Sequence, residues 1–224
     1  MRLQSLFVPA ALALAAGPMA AQTQLTDKSQ INPATILDWS TLGSNGFVPT
    51  NPFSLSFASQ ISTDGDFVLA VDGTSWTGGF LPGETLLYAH DDATYIDFVF
   101  NTTLTSFGTQ LWDNYNDPSG NAIFTLDAYL NGGPSLATFS IGASGGNDTN
   151  DGQAPFLGIF DAGGFNEIRI TSSGNTGGGQ DFAINQELTM ETPVSSVPEP
   201  GTMTLLATGL VGLAGAGRWR RRKS

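Results

Sequence analysis

Between positions 22 and 192 the chain alternates short apolar or mixed runs with clusters of glycine, asparagine, aspartate and proline. Ten runs read as strands: Phe53 to Ile61, Phe67 to Val71, Thr85 to Tyr88, Tyr95 to Phe100, Ser106 to Trp112, Ala122 to Leu130, Ala137 to Ile141, Phe156 to Phe160, Glu167 to Thr171 and Asp181 to Met190. In the sixth, Ile123, Thr125, Asp127 and Tyr129 fall on one side, and Phe124, Leu126, Ala128 and Leu130 on the other. That is the period of two of a strand with one face buried. Asp64-Gly65, Asp72-Gly73, Asn131-Gly132, Asp151-Gly152 and Gly177-Gly178-Gly179 supply the turns between runs. Short strands at close spacing, without a sustained 3.6-residue period, predict an all-β, antiparallel β-sandwich. Asn32 to Leu42 fits a short helix or an N-terminal strand equally well.

The two ends have a different pattern. Arg2, the apolar stretch Leu3 to Ala16 and the small residues Gly17, Ala20 and Ala21 form a secretory signal peptide. Cleavage by signal peptidase is expected after Ala21, although Met19 stands where a small residue is usual. The apolar stretch is shorter than the roughly 20 residues that a retained span requires. At the other end Thr192 to Ser196 reads as a linker, and Val197-Pro198-Glu199-Pro200 as an extended segment, because proline fixes its own φ and restricts the residue before it. Gly201 to Gly217 then forms an apolar run that would extend about 25 Å as a helix. The expected transmembrane helix is completed by Trp219 and the basic stop-transfer group Arg218, Arg220, Arg221, Arg222 and Lys223. The predicted organisation is a signal peptide over 1–21, an exported domain over 22–192 and a sorting tail over 193–224.

The net charge of −12 hides an uneven distribution. All twenty acidic residues lie from Asp27 to Glu199, whereas only Lys28 and Arg169 among the bases lie between the two signals. Such a surface repels nucleic acid, whose binding needs lysine and arginine against the phosphates, and it repels anionic lipid as well. Divalent cations and neutral glycans are compatible with it. The chain has no cysteine, so the exported domain must hold together through its core or bound ions rather than disulfides.

Several clusters carry candidate chemistry. His90-Asp91-Asp92 joins an imidazole to two carboxylates, but lacks the second histidine or cysteine of a zinc site and reads as a turn. Gly142-Ala143-Ser144-Gly145-Gly146 has nucleophile-elbow spacing without a following helix or a downstream histidine, and reads as a loop. Asp113 and Asp117 in one oxygen-rich segment, and Asp148 and Asp151 in another, are candidate ligands for a structural calcium. Trp76, Trp112 and Tyr115, beside turn residues, are candidates for stacking on sugar rings. Asp97, Asp127 and Glu167 lie in predicted strands, where two carboxylates at glycosidase spacing would serve acid–base chemistry.

The tail resembles the PEP-CTERM sorting signal of exported and surface bacterial proteins: a Pro198-Glu199-Pro200 motif, an apolar span and a basic terminus in that order. The resemblance implies recognition by a membrane-embedded exosortase that removes or exchanges the tail. Ser106 to Leu111, Pro155 to Ile159, Phe165 to Ile170 and Asp181 to Asn185 are similar to segments of the jelly-roll, galactose-binding-like and lectin-like domains common in that group. The closing strand of those domains reads F-A-I-D-N, but Asn185-Gln186 stands here in place of its acidic residue. Together these features lead to a non-enzymatic surface or matrix protein of jelly-roll type that contacts glycans. A jelly-roll carbohydrate-active enzyme is the alternative.

Overall fold

The computed structural model describes residues 21–31, 35–76, 78–113, 122–143, 152–173, 181–185 and 188–192. The chain divides into two compact units, Met1–Pro193 and Val194–Ser224. The sorting tail and the signal peptide before Ala21 lie outside the described residues. Among the described residues there are eleven strands: β1 (Thr23–Leu25), β2 (Thr35–Leu37), β3 (Ala58–Thr63), β4 (Asp66–Val71), β5 (Thr85–His90), β6 (Tyr95–Asp113), β7 (Ala122–Tyr129), β8 (Ala137–Ala143), β9 (Phe156–Ser173), β10 (Phe182–Asn185) and β11 (Leu188–Glu191). The helical elements among the described residues are 3₁₀ turns at Lys28–Gln30 and Trp39–Thr41. No described helix is long and apolar enough to cross a membrane; the predicted span from Gly201 to Gly217 lies outside them.

Two pairs of predicted strands merge. Tyr95 to Phe100 and Ser106 to Trp112 are the two halves of β6, and Phe156 to Phe160 and Glu167 to Thr171 are the two halves of β9. Phe98 and Phe107, nine residues apart on β6, would lie about 30 Å apart along a straight strand. Their rings are 5.6 Å apart instead, so β6 folds back on itself. The fold-back is written locally. The β6–β9 register slips between Val99 and Leu104 and again between Leu104 and Ser106, which bends a strand. Opposite, Gly164 has φ +79°, and a Cβ there would come 2.3 Å from Thr103 Cγ2; only glycine fits. The buried Asp161 carboxylate accepts the Gly163 N–H at 2.8 Å, fixing the turn of β9.

The bend folds one sheet into two facing layers. All strand pairings are antiparallel, in the order β4-β5-β10-β6-β9-β7-β8, with β3 and the β11–β2 pair on β6 and β1 on β9. Phe124 of β7 and Phe182 of β10 are separated in that order by β6 and β9, yet their rings meet at 5.6 Å. Such contact requires the layers to face each other, as in a β-sandwich. Between them lie Phe67, Leu87, Phe107, Leu126, Ile159, Ile168 and Ile184, all buried. Each such side chain contributes about 1.5–3 kcal/mol on leaving water. In β7 Phe124, Leu126 and Ala128 are buried while Ile123 is exposed and Thr125, Asp127 and Tyr129 are half-buried, as the alternation predicts.

Three boundaries differ from the sequence reading. Asp181 to Met190 is two strands: β10 pairs β5 and β6, whereas β11 pairs β2 and β6. Phe53 to Ile61 contains a reversal, since Phe53 and Ile61 bond each other and the Leu55 N–H meets the Ala58 carbonyl. The open region 32–42 holds both alternatives in sequence, β2 and then the 3₁₀ turn, whose Asp38 side chain accepts the Ser40 N–H. Trp39 in that turn is fully buried and donates its Nε1–H to the Asn185 carbonyl at 2.7 Å.

A second apolar cluster covers the other face of β4, β5 and β10. It includes Trp76 and Phe80 from the 72–84 loop, with Tyr88, Trp112 and Ala183. Trp76 and Trp112 are each only 3% exposed, which corrects their reading as open stacking platforms. The Gly79 backbone lies so close to the Trp112 indole that a Cβ would fall 2.3 Å from the ring. The loop seals both indoles inside.

Candidate functional site

One outward surface gathers the sequence-predicted carboxylates. Across four strands, Asp97 of β6 stands opposite Arg169 of β9, Asp127 of β7 opposite Arg169, and Thr138 of β8 opposite Asp127. Residues directly opposite in an antiparallel pair share a face, so these four form a row. Arg169 Nη2 donates to Asp97 Oδ2 at 2.7 Å, and its guanidinium lies 4.9 Å from the Tyr95 ring centre. The Thr138 hydroxyl donates to Asp127. Asp97 Oδ1 and Arg169 Nε are buried without hydrogen-bond partners.

Glu167 lies two residues from Arg169 on β9, diagonal to Asp97 at a typical spacing of about 7–8 Å. Burial raises its carboxyl pKa, the charge of Asp97 raises it further, and Arg169 opposes both. The Tyr129 phenol is raised by burial and then by Asp127. For Arg169, the hydrogen bond it donates to Asp97 outweighs burial and holds the guanidinium more firmly protonated. The surface therefore gathers three carboxylates around one cation, which is paired with Asp97.

A second region is concave. A cavity of about 410 Å³ is walled by Thr26, Asp27 and Lys28 after β1, Leu81 and Glu84 of the 72–84 loop, Gln110 of β6 and the segment from Gly152 to Phe156. Main-chain bonds fix its walls: Gly152 N to the Phe80 carbonyl at 2.9 Å, Ala154 N to Gly79 at 2.6 Å, and Leu111 N to Pro155 at 3.1 Å. Gln110 donates to the Ala154 carbonyl at 3.0 Å and accepts from the buried Asn185 amide at 2.8 Å. The departure noted in the closing strand therefore has a structural use. An amide at 185 donates to Gln110, which an ionised acid cannot do. Leu81 at the cavity is 56% exposed.

The remaining candidates fall elsewhere. His90 Nδ1 sits 2.9 Å from Asp91 Oδ1, and Asp91 and Asp92 both take left-handed φ of 60°, forming the turn between β5 and β6. Asp181 accepts the Asp92 N–H and the Tyr88 hydroxyl. Asp113 is buried at the end of β6 opposite Phe182 rather than on an open calcium loop. Its partner candidates Asp117, Asp148 and Asp151 lie outside the described residues, as do Tyr115 and Ser144. Among the described residues no group of three or more histidines, cysteines or carboxylates is arranged to hold a metal. The cavity residues were not singled out from sequence. Their one signal was the apolar pair Phe80-Leu81 inside a stretch that otherwise reads as turn.

The fold and these surfaces define an acidic all-β sandwich followed by a separate C-terminal segment. That segment is matched, over residues 196–222, by the family model of the PEP-CTERM protein-sorting motif. The motif marks an exported protein that is anchored in the membrane by its C-terminus until an exosortase processes it. No curated protein matches the chain. Among solved structures it is similar to a DUF4465 family protein from Bacteroides caccae, with TM-score 0.38 and 13% identity over 71% of this chain and 99% of that one. It is also similar to the CBM51-2 and INT domains of Clostridium perfringens ZmpB, solved in complex with GlcNAc, with TM-score 0.33 and 12% identity over 72% of this chain and 32% of that one. A third is the enzymatically active domain of bacteriophage CBA120 tailspike protein 4, with TM-score 0.24 and 11% identity over 67% and 20% of the two chains. At these scores the likenesses carry no functional inference.

Proposed function

We propose that the protein is a non-enzymatic adhesive or glycan-contacting module, a sandwich of jelly-roll type delivered to the cell surface or extracellular matrix. The observation that carries the proposal is the sorting motif over 196–222 attached to an acidic all-β domain. Signal peptidase acts at Ala21, the exosortase reads Pro198-Glu199-Pro200, and the tail that is removed takes most of the basic residues with it. The acidic sandwich left behind is soluble and repels nucleic acid, which suits contact with neutral glycans. Replacing Pro198, Glu199 and Pro200 by alanine should leave the tail attached in cells that process the parent chain. Tail removal at the parental rate would refute the sorting role. A glycan array probed with the full chain, with and without calcium, tests the adhesive role; an array blank under both conditions removes it.

A second reading, a carbohydrate-active enzyme, draws on the gathering of Asp97, Glu167 and Asp127 on one surface and on the raised carboxyl of Glu167. Against it, Asp97 is already committed to Arg169. Glycan hydrolysis by the parent chain that disappears in Glu167→Gln would establish it over the first.

A further inference from the structure

The burial of Trp76 and Trp112 leaves the glycan-contacting reading without its two tryptophan platforms. The cavity between Lys28, Leu81 and Phe156 offers a different kind of site. Its volume of about 410 Å³ lies within the roughly 300–1,000 Å³ of small-molecule pockets. Three of its four stretches of chain are tied together by main-chain hydrogen bonds and the fourth follows β1, which pairs with β9, so little ordering remains to be done on binding.

The lining divides by chemistry. Leu81, Pro155 and Phe156 make an apolar wall, while Asp27, Lys28 and Glu84 bring two carboxylates and one ammonium. Glu84 is held in place, its Oε2 accepting the Leu81 N–H at 3.2 Å. Asp27 is positioned by the Ser29 N–H, and hydrogen bonds from the Ser29 side chain and then its N–H lower its pKa, so it lines the cavity as a charged acceptor. Two acceptor groups and one donor beside an apolar wall match a ring with a C–H face and a rim of hydroxyls, each able to donate and accept. The excess of carboxylate disfavours uronic acids, sulfated sugars and phosphates, and no arginine lines the cavity to clamp an anion.

We propose that this cavity binds one neutral pyranose ring of a surface or matrix glycan, its C–H face against Leu81, Pro155 and Phe156 and its hydroxyls on Asp27, Glu84 and Lys28. This rests on the glycan-contacting reading and locates it. The test uses the full chain in a detergent without a sugar headgroup, screened on a glycan array and then titrated calorimetrically. The probes are glucose, galactose, mannose and N-acetylglucosamine, with glucuronic acid and putrescine as charged controls. Leu81→Asp should weaken the best neutral sugar by at least about tenfold, and Glu84→Gln and Lys28→Met by about three- to tenfold each. Lys28 is exposed, so its variant keeps the fold even if the Glu84 variant does not. Tyr129→Ala, on the Arg169 surface and outside the cavity lining, should bind as the parent does. If the array is positive but the three cavity variants bind like the parent, the site is wrong and the glycan reading survives. Preference for glucuronic acid or putrescine over every neutral sugar overturns the ligand class. An array and titrations that are both blank defeat the reading and the site together.

Discussion

The Arg169 surface and the Leu81 cavity are both built from charged groups on β-scaffolds, and they differ in how those groups are used. Around Arg169 the partners are neighbours in the sheet. Asp97 and Asp127 flank the guanidinium across strand pairs, Tyr95 lies against it, and Thr138 occupies Asp127. At the cavity the fixed parts are main chain, and the lining side chains converge from segments far apart in sequence. A surface whose charged groups bond to one another across the sheet contributes to stability, whereas one framed by main-chain bonds can also turn its lining toward a ligand. The contrast separates structural from binding use of the same residue types.

The sharpest way to break the contrast is to remove what both regions share. Gly164 sits at the bend of β9 with φ +79°, against Thr103. Gly164→Val should destabilise the chain by about 2–4 kcal/mol through backbone strain and overpacking, and both surfaces should lose order together. Denaturant titration gives the magnitude. A loss under about 1 kcal/mol, the scale of a surface change, would mean that the bend does not hold the layers.

Next in size is the ion pair. Arg169→Met leaves the buried Asp97 carboxylate without its cation, which should cost about 1–3 kcal/mol, less than for a fully buried pair because Arg169 is partly exposed. Combining it with Asp97→Asn should recover part of the loss, since the stranded charge is then gone. A double variant no more stable than the single one would argue that the row matters for packing against Tyr95 rather than for charge. At the cavity, by contrast, Leu81→Ala should alter stability by no more than about 0.5 kcal/mol, because the leucine is largely exposed. A loss above about 2 kcal/mol, the scale of a buried leucine, would turn the cavity wall into part of the core.

The sequence carried the layers and missed the fold-back that makes them. Period-two alternation in β7 fixed which side chains go inward, because a strand has only two faces. The long strands β6 and β9 read as four short ones because their bend residues, Asn101-Thr102 and Gly163-Gly164, have turn composition. Composition cannot distinguish a bend within a strand from a break between two. Asp97, Asp127 and Glu167 were visible as strand carboxylates, but their convergence on Arg169 depends on register between β6, β9 and β7, a non-local property. Trp76 and Trp112 misled for a related reason. Neighbouring turn residues suggested exposure, whereas the turn itself closes over both indoles. The cavity was least legible, since no two of its walls are contiguous in the chain.

The smallest expected effect tests the sign of the field on the Arg169 surface. Glu167 has a raised carboxyl in the folded chain, chiefly from burial and then from Asp97, with Arg169 pulling the other way. The folded state therefore keeps its proton to higher pH than the unfolded state does. Stability contributed by this group is present at low pH and is lost as pH rises from about the ordinary value of 4.5 through the raised folded value. Glu167→Gln removes that loss, so the variant should exceed the parent at neutral pH and show no advantage near pH 4. Glu167 is only half-buried, and solvent screening keeps the gain below about 1 kcal/mol. Thermal melts of both chains across this range read the difference directly. If the parent instead gains on the variant as pH rises, attraction to Arg169 dominates at Glu167, and the row would be a three-carboxylate cage around one cation rather than a single pair with neighbours.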